Sequence, residues 1–173
     1  MLRAGLAAAL VLVATACAHT HRAELAIYDW EAQRGTALEH GARDLRCKPD
    51  ACPDPTAKTV YLFGAPKLTG DDLDRNAVRA EIDPQTGEPT VILQFTPRGK
   101  KRFQHLTRSL ARRGAKLGTP QHVLFAIDGE VYLAPYIDYR ANPEGIPGDS
   151  GIEFSSLGSL DETRKLVRAL RGD

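Results

Sequence analysis

Between Thr90 and Arg171 the hydrophobic period switches repeatedly, and each switch falls on residues that fix a boundary. Val91, Leu93 and Phe95 alternate with Ile92 and Gln94, the two-residue period of a strand with one buried face. Thr96-Pro97 then opens a helix, with the threonine as N-cap and the proline at the first helical position. Phe103, Leu106 and Leu110 follow at three- and four-residue spacing, a helical apolar stripe that Gly114 and Gly118 bring to an end. His122 to Ile127 and Glu130 to Ile137 read as strands. Between them lies Asp128-Gly129, a two-residue hairpin turn that needs positive φ at both positions. After a Gly- and Pro-rich loop over 142–151, Ile152 to Phe154 makes a short strand. Ser159 and Glu162 form a capping box for a last helix with Leu166, Val167 and Leu170 inside. This pattern predicts an α+β fold, an antiparallel sheet with two main helices, near 97–114 and 159–171, packed on one face.

The other end of the chain reads as an export signal. Arg3 precedes ten apolar residues, Ala4 to Val13, too few to span a bilayer as a helix. Ala14-Thr15-Ala16 is a small-residue cleavage site followed by Cys17, a pattern that resembles the lipobox of bacterial lipoproteins, although leucine is usual where Ala14 stands. Cleavage before Cys17 with acylation of that cysteine, plain cleavage giving a secreted or periplasmic protein, and an uncleaved anchor are the alternatives. The first two place the mature chain outside the cytoplasm. Cysteine parity favours the lipid. Cys47 and Cys52 lie close together in an exported context, which predicts a disulfide and leaves Cys17 as the odd one of three. A metal site on that pair has only His40 nearby.

Between these ends the signals are weaker. Glu24 to Trp30 is a short strand or an ordered arm, Thr59 to Phe63 a strand, and Leu45 to Lys58 a loop with three prolines. In Leu68-Thr69-Gly70-Asp71-Asp72-Leu73 the threonine caps a short turn. The expected organisation is a leader over 1–16, an N-terminal arm and disulfide loop over 17–58, and a folded domain over 59–173.

Charge is balanced, 23 Lys plus Arg against 22 Asp plus Glu, and aromatic residues are few, which argues against a nucleic-acid binder. No nucleophile elbow, catalytic triad or metal-ligand spacing appears, so no enzyme activity, cofactor, metal or small-molecule substrate is expected. One bias stands out. From Thr96 to Ile127 there is no acidic residue, whereas Arg98, Lys100, Lys101, Arg102, Arg108, Arg112, Arg113 and Lys116 all lie there. Such a run is either a solvated helix face or a basic surface for anionic headgroups or acidic exported chains. Arg98, Lys101, Arg102, Arg108 and Arg112 are the candidate partner-binding residues.

The order of the junction residues resembles the extracytoplasmic head of the protein-export membrane protein SecD. The matching residues are Gln94-Phe95, Gly99, and Phe103 with Leu106-Thr107. They continue with Ile127-Asp128-Gly129-Glu130-Val131, Ala134-Pro135 and Gly148-Asp149-Ser150-Gly151-Ile152, and close loosely on Leu170-Arg171-Gly172. Upstream, Leu68 to Leu73 matches the family's LTGxDL. The resemblance spans about residues 60 to 172. It implies a non-enzymatic cell-envelope protein that contacts exported polypeptide or the Sec translocase without driving transport, because no apolar run of spanning length is present to carry proton flow. A membrane attachment through Cys17 completes that expectation. An envelope structural or interaction lipoprotein unrelated to export is the alternative, since fold does not fix function.

Overall fold

The computed structural model describes residues 22–37, 39–149, 151–155 and 158–173. Cys17 and the leader expected over 1–16 lie outside the described residues. The elements run β1 (Leu25–Asp29), α1 (Trp30–Gln33), β2 (Arg43–Cys47), β3 (Thr59–Leu62), β4 (Leu68–Thr69), β5 (Arg79–Ile82), β6 (Pro89–Leu93), α2 (Pro97–Leu117), β7 (Gln121–Ile127), β8 (Glu130–Leu133), β9 (Tyr136–Ile137), β10 (Ile152–Phe154) and α3 (Leu160–Arg171).

The fold is α+β with two main helices, as the hydrophobic pattern requires. The strands divide into two sheets. The larger has the order β3-β2-β8-β7-β1-β4 with β9 beside β7, and the smaller is β10-β6-β5. Neighbours are antiparallel except β2 and β8, which run parallel over Arg46↔Glu130 and Cys47↔Val131. β1 pairs with β7 along its whole length, Leu25↔Ile127 to Asp29↔Val123. Two strands of the segment 17–58, which sequence patterning set apart as an arm and loop, therefore sit inside the sheet, β1 beside β7 and β2 between β3 and β8. Five residues of β1 carry too little periodicity to announce a central strand; its place comes from long-range pairing with β7.

Both faces of the larger sheet are buried. Leu25 and Ile27 of β1 join Val123, Phe125 and Ile127 of β7 in the main core, beneath α2, α3 and the smaller sheet. Phe125 meets Phe154 of β10 edge-to-face at 5.4 Å, which ties the two sheets together. Tyr28, Leu124 and Ala126 point the other way, into a second core with Leu45 of β2, Val60 and Leu62 of β3, and Val131 of β8. The sheet curls so that the β2–β3 hairpin closes this second face. Trp30 packs against the same cluster. Cys47 and Cys52 are joined by a disulfide at its margin.

Local signals hold in detail. Thr96 accepts from the Gly99 N–H at 3.1 Å, and α2 ends on Gly118 at φ 68°. Asp128 and Gly129 take φ 51° and 77° in the β7–β8 turn. Ser159 and Glu162 form the reciprocal capping box of α3.

Candidate functional site

The residues that carry the family pattern converge on the N-terminal half of α2. Thr69 and Asp72 form a capping box across a single helical turn, with the Thr69 N–H donating to Asp72 Oδ2 at 3.0 Å. The Asp72 carbonyl oxygen then accepts from the Thr96 N–H at 2.9 Å and from its hydroxyl at 3.2 Å. Gly99 sits against that same carbonyl so closely that a Cβ there would lie 2.2 Å from the oxygen. Arg102 reaches back from the next turn to the Asp72 carboxylate and donates to the Lys67 carbonyl oxygen.

A second clasp holds the loop before β10. Thr107 is fully buried, and its hydroxyl accepts from the Ile146 N–H at 2.8 Å while donating to the Phe103 carbonyl oxygen. Gly145, at φ 78°, lies against the helix backbone at Gln104 and Arg108. Gly99, Thr107, Asp72 and Gly145 are thus structural residues; they clasp α2 to its neighbours.

The eight cations of α2 sort into two groups. Lys100 pairs with Asp149 at 3.1 Å, Arg102 with Asp72 at 2.7 Å, and Arg108 with Glu144 at 3.2 Å. Arg113 binds the buried Asp29 and donates to Gln121 Oε1 at 2.6 Å. Arg98, Lys101, Arg112 and Lys116 are exposed and make no ion pair among the described residues. Of the five residues singled out from sequence, Arg98, Lys101 and Arg112 therefore lie open on the helix surface, whereas Arg102 and Arg108 hold the fold together.

The Asp29–Arg113 pair belongs to a network that sequence reasoning did not foresee. Glu31 of α1 accepts the backbone N–H of His122 at 2.9 Å, and His122 Nδ1 lies 2.7 Å from its other oxygen. Burial pushes the Glu31 carboxyl up, but the bonds from the His122 ring and backbone outweigh it and hold the carboxyl below its ordinary value. Gln33 accepts from the Asp29 N–H and donates to the carbonyl oxygens of Phe63 and Ala65. Every polar group here serves another, which describes a structural joint. No group of His, Cys, Asp and Glu suited to a metal occurs among the described residues.

One open space lies on the face of the larger sheet away from α2. A groove of about 470 Å³ is lined by Arg22, Glu24, Arg43, Asp71, Arg75 and Asp128, together with Ala26 and the buried Tyr28, Leu45 and Ala126. Ala26 and Ala126 pair across β1 and β7, and their small side chains leave room where neighbouring pairs are filled. The Tyr28 hydroxyl accepts from Arg43 at 3.1 Å. No sequence motif marked this groove, because its wall and floor come from strands far apart in the chain.

The family model of the SecDF P1 head subdomain matches residues 47–173. The chain belongs to the SecDF P1 head family. It is 35% identical over 109 residues to the protein translocase subunit SecDF of Thermus thermophilus, covering 63% of this chain and 12% of that protein. The chain thus spans about one-eighth the length of that curated relative. A solved structure described as a membrane component SecDF that enhances protein export superposes with a TM-score of 0.56 at 25% identity, over 88% of this chain and 64% of the other. A SecDF structure in a super-membrane-facing form gives 0.58 at 27% identity, over 88% and 19%. Among the described residues of this SecDF P1 head relative, no helix is long and apolar enough to cross a membrane.

Proposed function

We propose that this chain is a non-catalytic, extracytoplasmic binding domain that receives segments of exported polypeptide, or a translocase subunit, without itself driving transport. Acylation at Cys17 would hold it to the outer side of the membrane. The observation that carries the reading is the groove along β1, between β2 on one side and the turn after β4 on the other. It brings Arg22, Arg43 and Arg75 together with Glu24, Asp71 and Asp128 around the half-buried Ala26. A groove of mixed charge, open along its length, suits an extended chain of mixed composition better than a single small molecule, whose sites are mostly apolar and enclosed. Membership of the SecDF P1 head family supports an export-associated role for that groove.

The test is photo-crosslinking in living cells from Arg43, at the groove margin, and from Arg98, on α2. Adducts with newly exported chains or translocase subunits from Arg43 are expected. Recovery of neither from either position would sink the proposal.

A further inference from the structure

The unpaired cations of α2 form a line. Successive helical residues turn by about 100°, so Arg98, Lys101, Arg112 and Lys116 fall within an arc of about 60°, with His105 inside it and Ser109 at its edge. From Arg98 to Lys116 the line is about 27 Å long at the rise of an α-helix. All six residues are exposed. Their arc lies opposite Phe103, Leu106, Leu110 and Gly114, which are buried. The acidic residues that could neutralise this helix are used elsewhere: Asp72, Glu144, Asp149 and Asp29 each hold one of the other four cations.

We infer that this stripe is a docking surface for an anionic phospholipid bilayer. This goes beyond the proposed polypeptide groove, which lies on the other face of the larger sheet and uses none of the four cations. The partner is argued from charge and shape. A straight, rigid row of cations with no acidic break over 96–127 matches a plane of negative headgroups at any register. Beside the row runs a cleft of about 430 Å³ whose lining brings Lys67, Lys101, Arg102 and His105 together with Asp29, the carboxylate that Arg113 holds, and this cationic excess suits a phosphate-bearing headgroup. The chain enters the fold at the N-terminal end of α2. Ala26 pairs with Thr69, whose capping partner Asp72 receives Thr96. Ala23, buried and bonded to the Ala169 carbonyl oxygen, is six residues on from Cys17, a reach of at most about 22 Å, so an acyl group there would keep the stripe close to the surface it binds.

The full chain, with Cys17→Ser to remove the competing thiol and Ser109→Cys to carry an environment-sensitive fluorophore, is mixed with phosphatidylcholine vesicles with or without phosphatidylglycerol. The label reports contact of α2 itself, whatever the leader does, and no polypeptide is present, so the result is independent of the groove. A blue shift confined to the phosphatidylglycerol vesicles and reversed by salt is expected. Replacing Arg98, Lys101, Arg112 and Lys116 by Gln should weaken it by about several hundredfold, at about fivefold per charge. Replacing Arg164, Lys165 and Arg168 of α3 by Gln should leave it unchanged. An equal shift on both vesicles, an unchanged quadruple variant, or an equal loss in the α3 variant overturns the inference. A shift with polyglutamate but not with vesicles also overturns it and assigns the stripe to acidic polypeptide.

Discussion

Arg102 Nη1 lies 3.0 and 2.7 Å from the two carboxylate oxygens of Asp72, and the two side chains differ sharply in exposure, 37% for the arginine and 1% for the aspartate. The aspartate is therefore the costly partner to disturb. It also accepts the Thr69 N–H, so Asp72→Ala removes a charged hydrogen bond and half of a capping box together. A loss of about 3 kcal/mol is expected. Arg102→Ala should cost less, about 1 kcal/mol, because its guanidinium is partly in water and Thr69 still serves the carboxylate. Urea unfolding of the two variants checks the ranking; equal losses would show that the ion pair, and not the cap, carries the effect.

Gly99→Ala tests the close approach of α2 to the same turn. Alanine gains about 1 kcal/mol of helix propensity over glycine. Its Cβ would meet the Asp72 carbonyl oxygen at 2.2 Å, a backbone atom held by Thr96 and unable to yield alone. The net result should be destabilisation by about 2 kcal/mol, overpacking outweighing propensity. A rise in melting temperature would refute this account of the glycine.

The strand–helix–hairpin order, the caps of α2 and α3 and the Asp128-Gly129 turn were legible because each depends on residues within a few positions of one another. Gly99 lies against the Asp72 carbonyl, a partner that only the folded chain supplies. The paired cations were illegible for the same reason. Arg102 and Arg113 look like Arg98 and Arg112 in sequence; their carboxylates, Asp72 and Asp29, arrive from 30 and 84 residues away. The groove depends on Ala26 meeting Ala126 across β1 and β7, and two alanines give no sequence signal.

Thr107→Val should act locally. The valine keeps the shape of a fully buried side chain but leaves the Ile146 N–H without its acceptor. A loss of about 1–3 kcal/mol is expected for that orphaned donor. Hydrogen exchange should rise in the loop over 139–149 and hardly at all in β1 and β7. Uniformly raised exchange would place the role of Thr107 in global packing.

Replacing both Cys47 and Cys52 by Ser should lower stability by about 2 kcal/mol, the chain-entropy value for so short a loop. Cys47 is one of two β2 residues paired with β8, so the β2–β3 hairpin should lose exchange protection first. Loss of protection beginning in α3 instead would contradict this placement of the disulfide.

Acid stability isolates Glu31. Its carboxyl is pushed up by burial but drawn further down by the His122 ring and backbone N–H, and the net value is below the ordinary one. A lowered value in the folded state means that ionised Glu31 favours folding. That contribution is complete above the unfolded value, about 4.3, and is lost as the pH falls through the folded value. Glu31→Gln keeps an acceptor for the His122 N–H and removes only the charge. The parent should therefore be the more stable of the two near neutral pH, with the gap closing below about pH 4. Urea midpoints for both proteins across the acid range measure this. A gap that stays constant through that range would mean that Glu31 acts through packing alone, and that the α1–β7 joint does not depend on its charge.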